Sequence, residues 1–428
     1  MYFIYNILLS AASLVLVPIM IYAALRAKKY RSGLSQKLGF VPFSVRQRLS
    51  GDRPVWIHAV SVGEVMATVP LLEELKKRYP RQKIVLSTVT ATGNHMAELK
   101  ARKADAVIYF PFDYPFMVKR AIQQIAPRLF ITLETELWPN FLRALKRKGI
   151  PSVVLSGRIS NNSYHRYRWA RFFFSRVLAH IDAFYMQTEV DARRIIAIGA
   201  DRNRVTILGN LKWDQEIPLL TPGEKGHLYE TLNLKEGQSI FIAGSTHRGE
   251  EEIVLGVFKR LKAGCADLKL ILAPRHPERF SEAAHLVARH GFTCIRKTEL
   301  AQQLKAQPRD VILLDTIGEL SKLYSIGTII FVGGSLVQAG GHNVLETVAH
   351  RKAVLFGPHM DNFLEIARYL TENGGGLVVD NGEALFLKAS TLLHNEALRG
   401  ELGEKAFEII ARNQGTTRKA MEAIESFL

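Results

Sequence analysis

Residues 55–87 read VWIHAVSVGEVMATVPLLEELKKRYPRQKIVLS. Two short apolar runs, Val55-Trp-Ile-His58 and Ile84-Val-Leu-Ser87, bracket a stretch whose Leu71, Leu72 and Leu75 share one helical face. Strand, helix and strand at this spacing form a βαβ unit, and successive units of this kind build a parallel sheet. The alternation continues through strand-like runs at Ala106–Tyr109, Leu129–Thr132, Val153–Leu155, Ala183–Met186 and Val205–Leu208. It pauses over Gly209–Gln238, where Pro218, Pro222, Gly223 and Gly226 fall and no long apolar run occurs. A second series follows at Ser239–Ala243, Leu268–Ala273, Val311–Leu314, Thr328–Val332, Ala353–Phe356 and Leu377–Val379. The expectation is two α/β halves, 51–214 and 239–410, joined by a connection over 215–238 and followed by a C-terminal helix over 411–428. Ligands of such sheets sit beyond the C-terminal strand ends, so chemistry is sought just after each strand.

Ahead of the first strand the composition changes. Residues 1–25 carry no charge, and no acidic residue precedes Asp52. About 20 apolar residues span a bilayer core as a helix. Basic residues follow the apolar run rather than precede it, which argues against a cleaved leader and for a cytoplasmic C-terminal body. The reading is an uncleaved membrane anchor over 1–25 and a basic, membrane-proximal segment over 26–50; a helix lying in the bilayer surface or packed on the body is the alternative. Arg26, Lys28, Lys29, Arg31, Lys37, Arg46 and Arg48 supply seven charges of the chain's net +17. An excess of that size favours anionic partners. A hydrophobic content of 47% with 23% charged residues excludes a disordered chain. The two cysteines, Cys265 and Cys294, cannot make a disulfide scaffold or a four-cysteine zinc site and read as small core residues in a reducing compartment.

Four loops of the first half carry candidate chemistry. His58-Ala-Val-Ser-Val-Gly-Glu64 follows the first strand; Gly63 permits close backbone approach, and Glu64 is either a proton acceptor at the helix start or a partner of the helix dipole. Glu134-Thr-Glu-Leu-Trp-Pro-Asn140 places two carboxylates after a strand, suited to sugar hydroxyls or a cation, with Glu136 as a cap of the next helix the alternative. Ser156-Gly-Arg-Ile-Ser160 precedes arginines interleaved with aromatics over Tyr164–Phe174, suited to phosphate, to a membrane surface, or simply to an amphipathic helix with a buried aromatic face. Lys212, in Gly209-Asn-Leu-Lys-Trp-Asp214, lies where the first series ends.

In the second half, Gly244-Ser-Thr-His-Arg-Gly-Glu250, Ala273-Pro-Arg-His-Pro-Glu-Arg279, Asp315–Leu320 and Gly333–Glu346 each follow a strand. Arg275 and His276 suit an anion, glycines opening a helix expose N–H groups to phosphate, and Glu346 suits ribose hydroxyls. Together these loops point to a nucleotide. No Gly-x-Gly-x-x-Gly, Gly-x-x-x-x-Gly-Lys-[Ser/Thr], His-Glu-x-x-His or Asp-x-Asp occurs, so dehydrogenase, P-loop and zincin readings lose support.

The uncharged N-terminal segment and the motifs His58–Glu64, Glu134–Asn140, Ser156–Ser160, Gly209–Asp214, Gly244–Glu250, Ala273–Arg279, Gly318–Leu320, Gly340–Glu346 and Gly357-Pro-His-Met-Asp-Asn362, in that order, resemble the 3-deoxy-D-manno-octulosonic acid (Kdo) transferases of lipopolysaccharide biosynthesis. The resemblance covers essentially the whole chain. It implies a GT-B glycosyltransferase fold of two facing Rossmann-like domains, CMP-Kdo as donor and lipid A precursor as acceptor, at the cytoplasmic face of the bacterial inner membrane. It implies Glu64 as general base and Glu134 and Lys212 as transition-state stabilisers. Arg275, His276, Ile317, Gly318, Glu319, Asn343, Val344, Leu345 and Glu346 match the CMP-Kdo site, with Ser61, Gly63 and Arg158 on the acceptor side. No cofactor, no metal and no nucleic-acid partner is expected. A membrane-bound GT-B transferase using another donor, such as UDP-N-acetylglucosamine, is the competing reading.

Overall fold

The computed structural model describes residues 1–26, 33–300 and 309–428. Lys28, Lys29 and Arg31 of the basic segment lie outside the described residues. The chain divides into two compact units, one of Met1–Glu216 with Gln414–Leu428 and one of Ile217–Asn413.

Unit 1 holds strands β1 (Val55–His58), β2 (Ile84–Thr88), β3 (Ala106–Tyr109), β4 (Leu129–Leu133), β5 (Ser152–Gly157), β6 (Ala183–Met186) and β7 (Val205–Ile207). They form one sheet in the order β3-β2-β1-β4-β5-β6-β7. Each pairing is parallel, β1 matching Val55 to Ile84 on one side and to Leu129 on the other. Helices cover both faces, so β1 is buried along its whole length. The helix Val62–Arg78 buries Leu71, Leu72 and Leu75, as its periodicity requires. The strand order reverses between β1 and β4, which sets the loops 59–64 and 134–138 side by side at the carboxyl edge.

Unit 2 holds β8 (Ile240–Thr246), β9 (Lys269–Pro274), β10 (Cys294–Arg296), β11 (Val311–Leu313), β12 (Ile329–Val332), β13 (Val354–Phe356) and β14 (Gly376–Val378). Their order is β10-β11-β9-β8-β12-β13-β14, again all parallel, with the reversal between β8 and β12.

The chain's end belongs to unit 1. The helix Thr416–Ile424 buries Ala420, Met421 and Ile424 in the core shared with Leu71 and Leu75. Asp214 holds its first turn, accepting from the Gly415 N–H at 2.6 Å and from the Thr417 N–H. Within 215–238, read as a bare connection, lies the helix Pro222–Thr231 with a Thr221/Glu224 capping box and no buried residue. Cys265 and Cys294 are half-buried rather than core residues.

Residues Tyr2–Arg26 form one helix containing Pro18. It rests on unit 1 through polar groups. The Tyr5 hydroxyl donates to Asp113 at 3.0 Å, Asn140 donates to Asn6 at 2.7 Å, and the Ser13 and Tyr114 hydroxyls meet. Phe3, Leu8, Leu14 and Val15 of the same helix are exposed. Among the described residues no helix is long and apolar enough to cross a membrane. The Tyr2 and Tyr5 rings of the helix Tyr2–Arg26 also meet Phe173, at 5.9 and 5.6 Å.

Candidate active site

In unit 1 the first turn of the helix Val62–Arg78 is closed by a reciprocal cap. The Ser61 Oγ accepts from the Glu64 N–H at 3.4 Å and donates to Glu64 Oε1 at 2.9 Å, while the Val60 N–H donates to Oε2 at 2.8 Å. Glu64 is 7% exposed. Burial, then the nearby charge of Glu134, push its carboxyl up to about 8, against the two hydrogen bonds. It is thus more basic than an ordinary carboxyl, as proton removal near neutral pH requires.

Beside it, Glu134 leaves β4 at φ 52°, a left-handed backbone that a non-glycine residue adopts only where neighbours impose it. Lys212 Nζ donates to Glu134 Oε1 at 2.7 Å. Burial works against the charge of Glu134, but Lys212 and Arg158 outweigh it and hold the carboxyl below the usual range. Glu136 is pushed up to about 7 by burial and by Glu134. Two neighbouring carboxylates are thus driven in opposite directions, the arrangement that separates a proton acceptor from a fixed charge.

The supporting contacts are local. Thr135 Oγ1 donates to the Arg158 carbonyl at 2.6 Å and accepts from the Arg158 N–H at 3.1 Å, joining the second and third motifs. Ser156, at φ 54°, accepts from the Leu211 N–H at 3.2 Å, which carries the Lys212 turn to the same edge. A Cβ built on Gly63 would lie 3.9 Å from Lys212 Cε, ordinary contact, so no close approach requires glycine there. Glu136 does not cap the next helix. Asp113 does, accepting from the Asn140 and Phe141 N–H groups at 2.9 and 2.8 Å. The helices after Ser160 bury an aromatic face only in part: Tyr164, Tyr167, Phe173 and Phe174 pack half-buried against the core, while Trp169 is 93% exposed.

Unit 2 shows a second polar cluster. Arg275 and His276 follow β9. The rings of His276 and His247 meet edge to face at 5.2 Å, and those of His247 and His342 are nearly coplanar with centroids 5.1 Å apart. The loop 315–319 is braced by Lys297, whose Nζ lies 2.6 and 2.7 Å from the two Glu319 oxygens. Gly318 turns there at φ 89°, and Ile317 is exposed. Asn343 donates to Glu346 at 3.2 Å, and burial pushes Glu346 up to about 7 against Asn343 and Arg275. Val344 and Leu345 are buried, and the Leu345 N–H donates to Asn343 Oδ1 at 3.1 Å.

Two expectations for this unit are corrected. The helix opened by Gly340–Glu346 is a single turn, Leu345–Val348, too short to sum a macrodipole. The N–H groups of Gly334, Ser335 and Leu336 do not await phosphate: Glu250 takes them at 2.6, 2.9 and 2.9 Å and also accepts from the His247 N–H at 2.9 Å. Glu250 is fully buried. Its place as an acid opening the helix after the β8 turn is the one signal that sequence offered for it.

The family model described as 3-deoxy-D-manno-octulosonic-acid transferase (kdotransferase) matches residues 32–215. The 3-deoxy-D-manno-octulosonic acid transferase of Haemophilus influenzae is 36% identical over 410 residues, covering 95% of this chain and 93% of its own. This chain belongs to that family. The Bordetella pertussis transferase of the same name is 32% identical over 387 residues, covering 88% of this chain and 87% of its own. A solved glycosyltransferase from Rickettsia africae superposes with a TM-score of 0.59 at 15% identity, covering 88% of this chain and 98% of its own, a likeness of fold alone. The Kdo transferase is thus built as a GT-B glycosyltransferase of two Rossmann-like units.

Proposed function

We propose that this Kdo transferase moves Kdo from CMP-Kdo to a glucosamine hydroxyl of the lipid A precursor, with inversion at the anomeric carbon. The observation that carries the reading is the Glu64 carboxyl, raised by burial and set beside the fixed Glu134–Lys212 pair. Glu64 removes the acceptor hydroxyl proton as that oxygen attacks the anomeric carbon. The bond from that carbon to the phosphate oxygen breaks on the opposite face through an oxocarbenium-like state. Glu134, kept anionic by Lys212, supplies negative potential to the developing positive charge. The clusters around Arg275, His276, Ile317–Glu319 and Asn343–Glu346 hold the cytidylate.

No metal is needed to stabilise a monophosphate leaving group surrounded by such donors, and chelator treatment should leave turnover unchanged. The apolar side chains exposed on Tyr2–Arg26, with Trp169, Phe172 and the arginines around them, suit an anionic membrane surface where a lipid acceptor resides. This reading places the enzyme at the cytoplasmic face of the bacterial inner membrane, tethered by its N-terminal segment.

Incubation with labelled CMP-Kdo and lipid A precursor tests the donor and acceptor together. Labelled lipid is expected. Its absence, with transfer from UDP-N-acetylglucosamine instead, would overturn the reading.

A further inference from the structure

The histidine cluster of unit 2 contains a feature that phosphate binding alone does not require. His247 Nε2 and His342 Nε2 lie 2.9 Å apart. Two such nitrogens at that distance share one hydrogen, so one ring carries its proton on Nε2 and the other on Nδ1 when both are uncharged. The ring planes are 17° apart and the centroids 5.1 Å apart, so the rings meet nearly coplanar at their Nε2 edges. Both lie on Gly334: a Cβ there would come within 2.9 Å of His342 Cδ2 and 3.3 Å of His247 Cδ2, and its φ of 67° also favours glycine. The pair is therefore held by the fold, over the same turn whose N–H groups are neutralised from beneath by Glu250.

We propose that the His247–His342 pair is a proton-loading element of the donor site, taking up one proton when a nucleotide phosphate arrives and holding it for the departing phosphate oxygen. The proposal rests on the Kdo transfer reading above and deepens it.

Without ligand, the surroundings oppose a charge on the pair. His342 is pushed down to about 3 by burial, then by Arg275, His247 and His276. Burial also lowers His247; Glu250 works in the opposite direction, while His276, Arg275 and Arg279 add to the lowering. An uncharged pair beside two arginines is the state expected where no anion is present. A phosphate held by Arg275 and His276 offsets those cations and adds an acceptor, so the same pair then favours an added proton.

The step balances. On transfer, the bond between the anomeric carbon and the phosphate oxygen breaks, with the electron pair going to that oxygen. The proton of the pair passes to it, while the acceptor's proton passes to Glu64. CMP leaves as the monoprotonated monoester, and the pair returns to its uncharged, hydrogen-bonded form.

Titration calorimetry of the full chain with CMP, at pH 7.5 in buffers of different ionisation enthalpy, reads the protons taken up. CMP's own phosphate is then almost fully ionised. The wild type should take up a net fraction approaching one proton. Its Kd for CMP should rise by up to about tenfold per pH unit on the alkaline side. His342→Gln should still bind CMP with uptake near zero and a Kd flat in pH, and His247→Gln should do the same if the first variant fails to fold. CMP binding by the wild type with no dependence on buffer would overturn the proposal and leave the nucleotide site standing. Unchanged uptake in His342→Gln would overturn it too, moving the proton to Glu346 or to CMP itself. No CMP binding by the wild type would overturn the nucleotide reading and this proposal with it.

Discussion

Replacing Glu64 by Gln removes a charge that the fold disfavours, so the variant should be more stable than the wild type at alkaline pH. A carboxyl raised in the folded state contributes fully below its unfolded value, and that contribution is lost as pH rises through the folded value. Here the two values are 4.5 and about 8. At about 1.4 kcal/mol per unit, the difference between wild type and variant should change by roughly 4 kcal/mol from pH 5 to pH 8.5. Against this stands the cap. The amide keeps one acceptor for the Val60 N–H or the Ser61 hydroxyl but turns an NH2 toward the other, a loss of about 1–3 kcal/mol that is nearly constant with pH. The net effect should be destabilising near pH 5 and stabilising near pH 8.5. All four tryptophans, Trp56, Trp138, Trp169 and Trp213, belong to unit 1, so urea unfolding followed by their fluorescence reports the unit that holds Glu64. A wild-type-to-variant difference that stays constant across this range would show that Glu64 is not held protonated by burial, and the argument for its basicity would fall.

Other consequences can be checked in the same way. Lys212→Ala strands Glu134 and should cost unit 1 about 3 kcal/mol at pH 8. Because the Glu134 carboxyl is depressed, that loss should shrink as pH falls below the usual carboxylate range; a loss independent of pH would argue for packing alone. Glu250→Ala leaves the Gly334, Ser335 and Leu336 N–H groups without their acceptor, at about 1–3 kcal/mol each. Unit 2 should then melt early by circular dichroism while the tryptophan transition stays in place, and coincident, unshifted transitions would contradict this. Gly63→Ala should be neutral or stabilising by about 0.5–1 kcal/mol in the tryptophan transition, since its Cβ has room. A clear loss would show that the backbone there needs glycine.

The βαβ rhythm was legible because it depends on two robust periodicities. Val55–His58 and Leu71–Leu75 obey them, and the parallel sheets follow. Where burial is weak the rhythm is silent. The helix Pro222–Thr231 buries nothing, so no apolar stripe marks it, and the three-residue strand β10 lies at a sheet edge. The crossover after β12 is compact for a reason invisible in one dimension. The Gly340–Gly341 turn is packed under Met360 and Asn362, leaving a single helical turn at Leu345–Val348.

In the candidate site, the residue types were legible and their partners were not. Glu64, Glu134 and Lys212 stand after strands, where topology gathers chemistry. That Asp113 rather than Glu136 caps the helix Pro139–Arg147, and that Glu250 fills the Gly334–Leu336 turn, are contacts between segments 27 and 84 or more residues apart. A glycine-rich turn reads the same whether its N–H groups await a ligand or are already taken by a buried acid.

The most direct test of the account is single-turnover transfer from labelled CMP-Kdo to lipid A precursor, by wild type and Glu64→Gln, between pH 6 and 9.5. The wild-type rate should climb about tenfold per pH unit up to about pH 8, with the variant roughly 10²–10⁴-fold slower and lacking that rise. Equal rates in the two proteins, or the same ascending limb in both, would contradict the assignment of Glu64 as the group that takes the acceptor's proton.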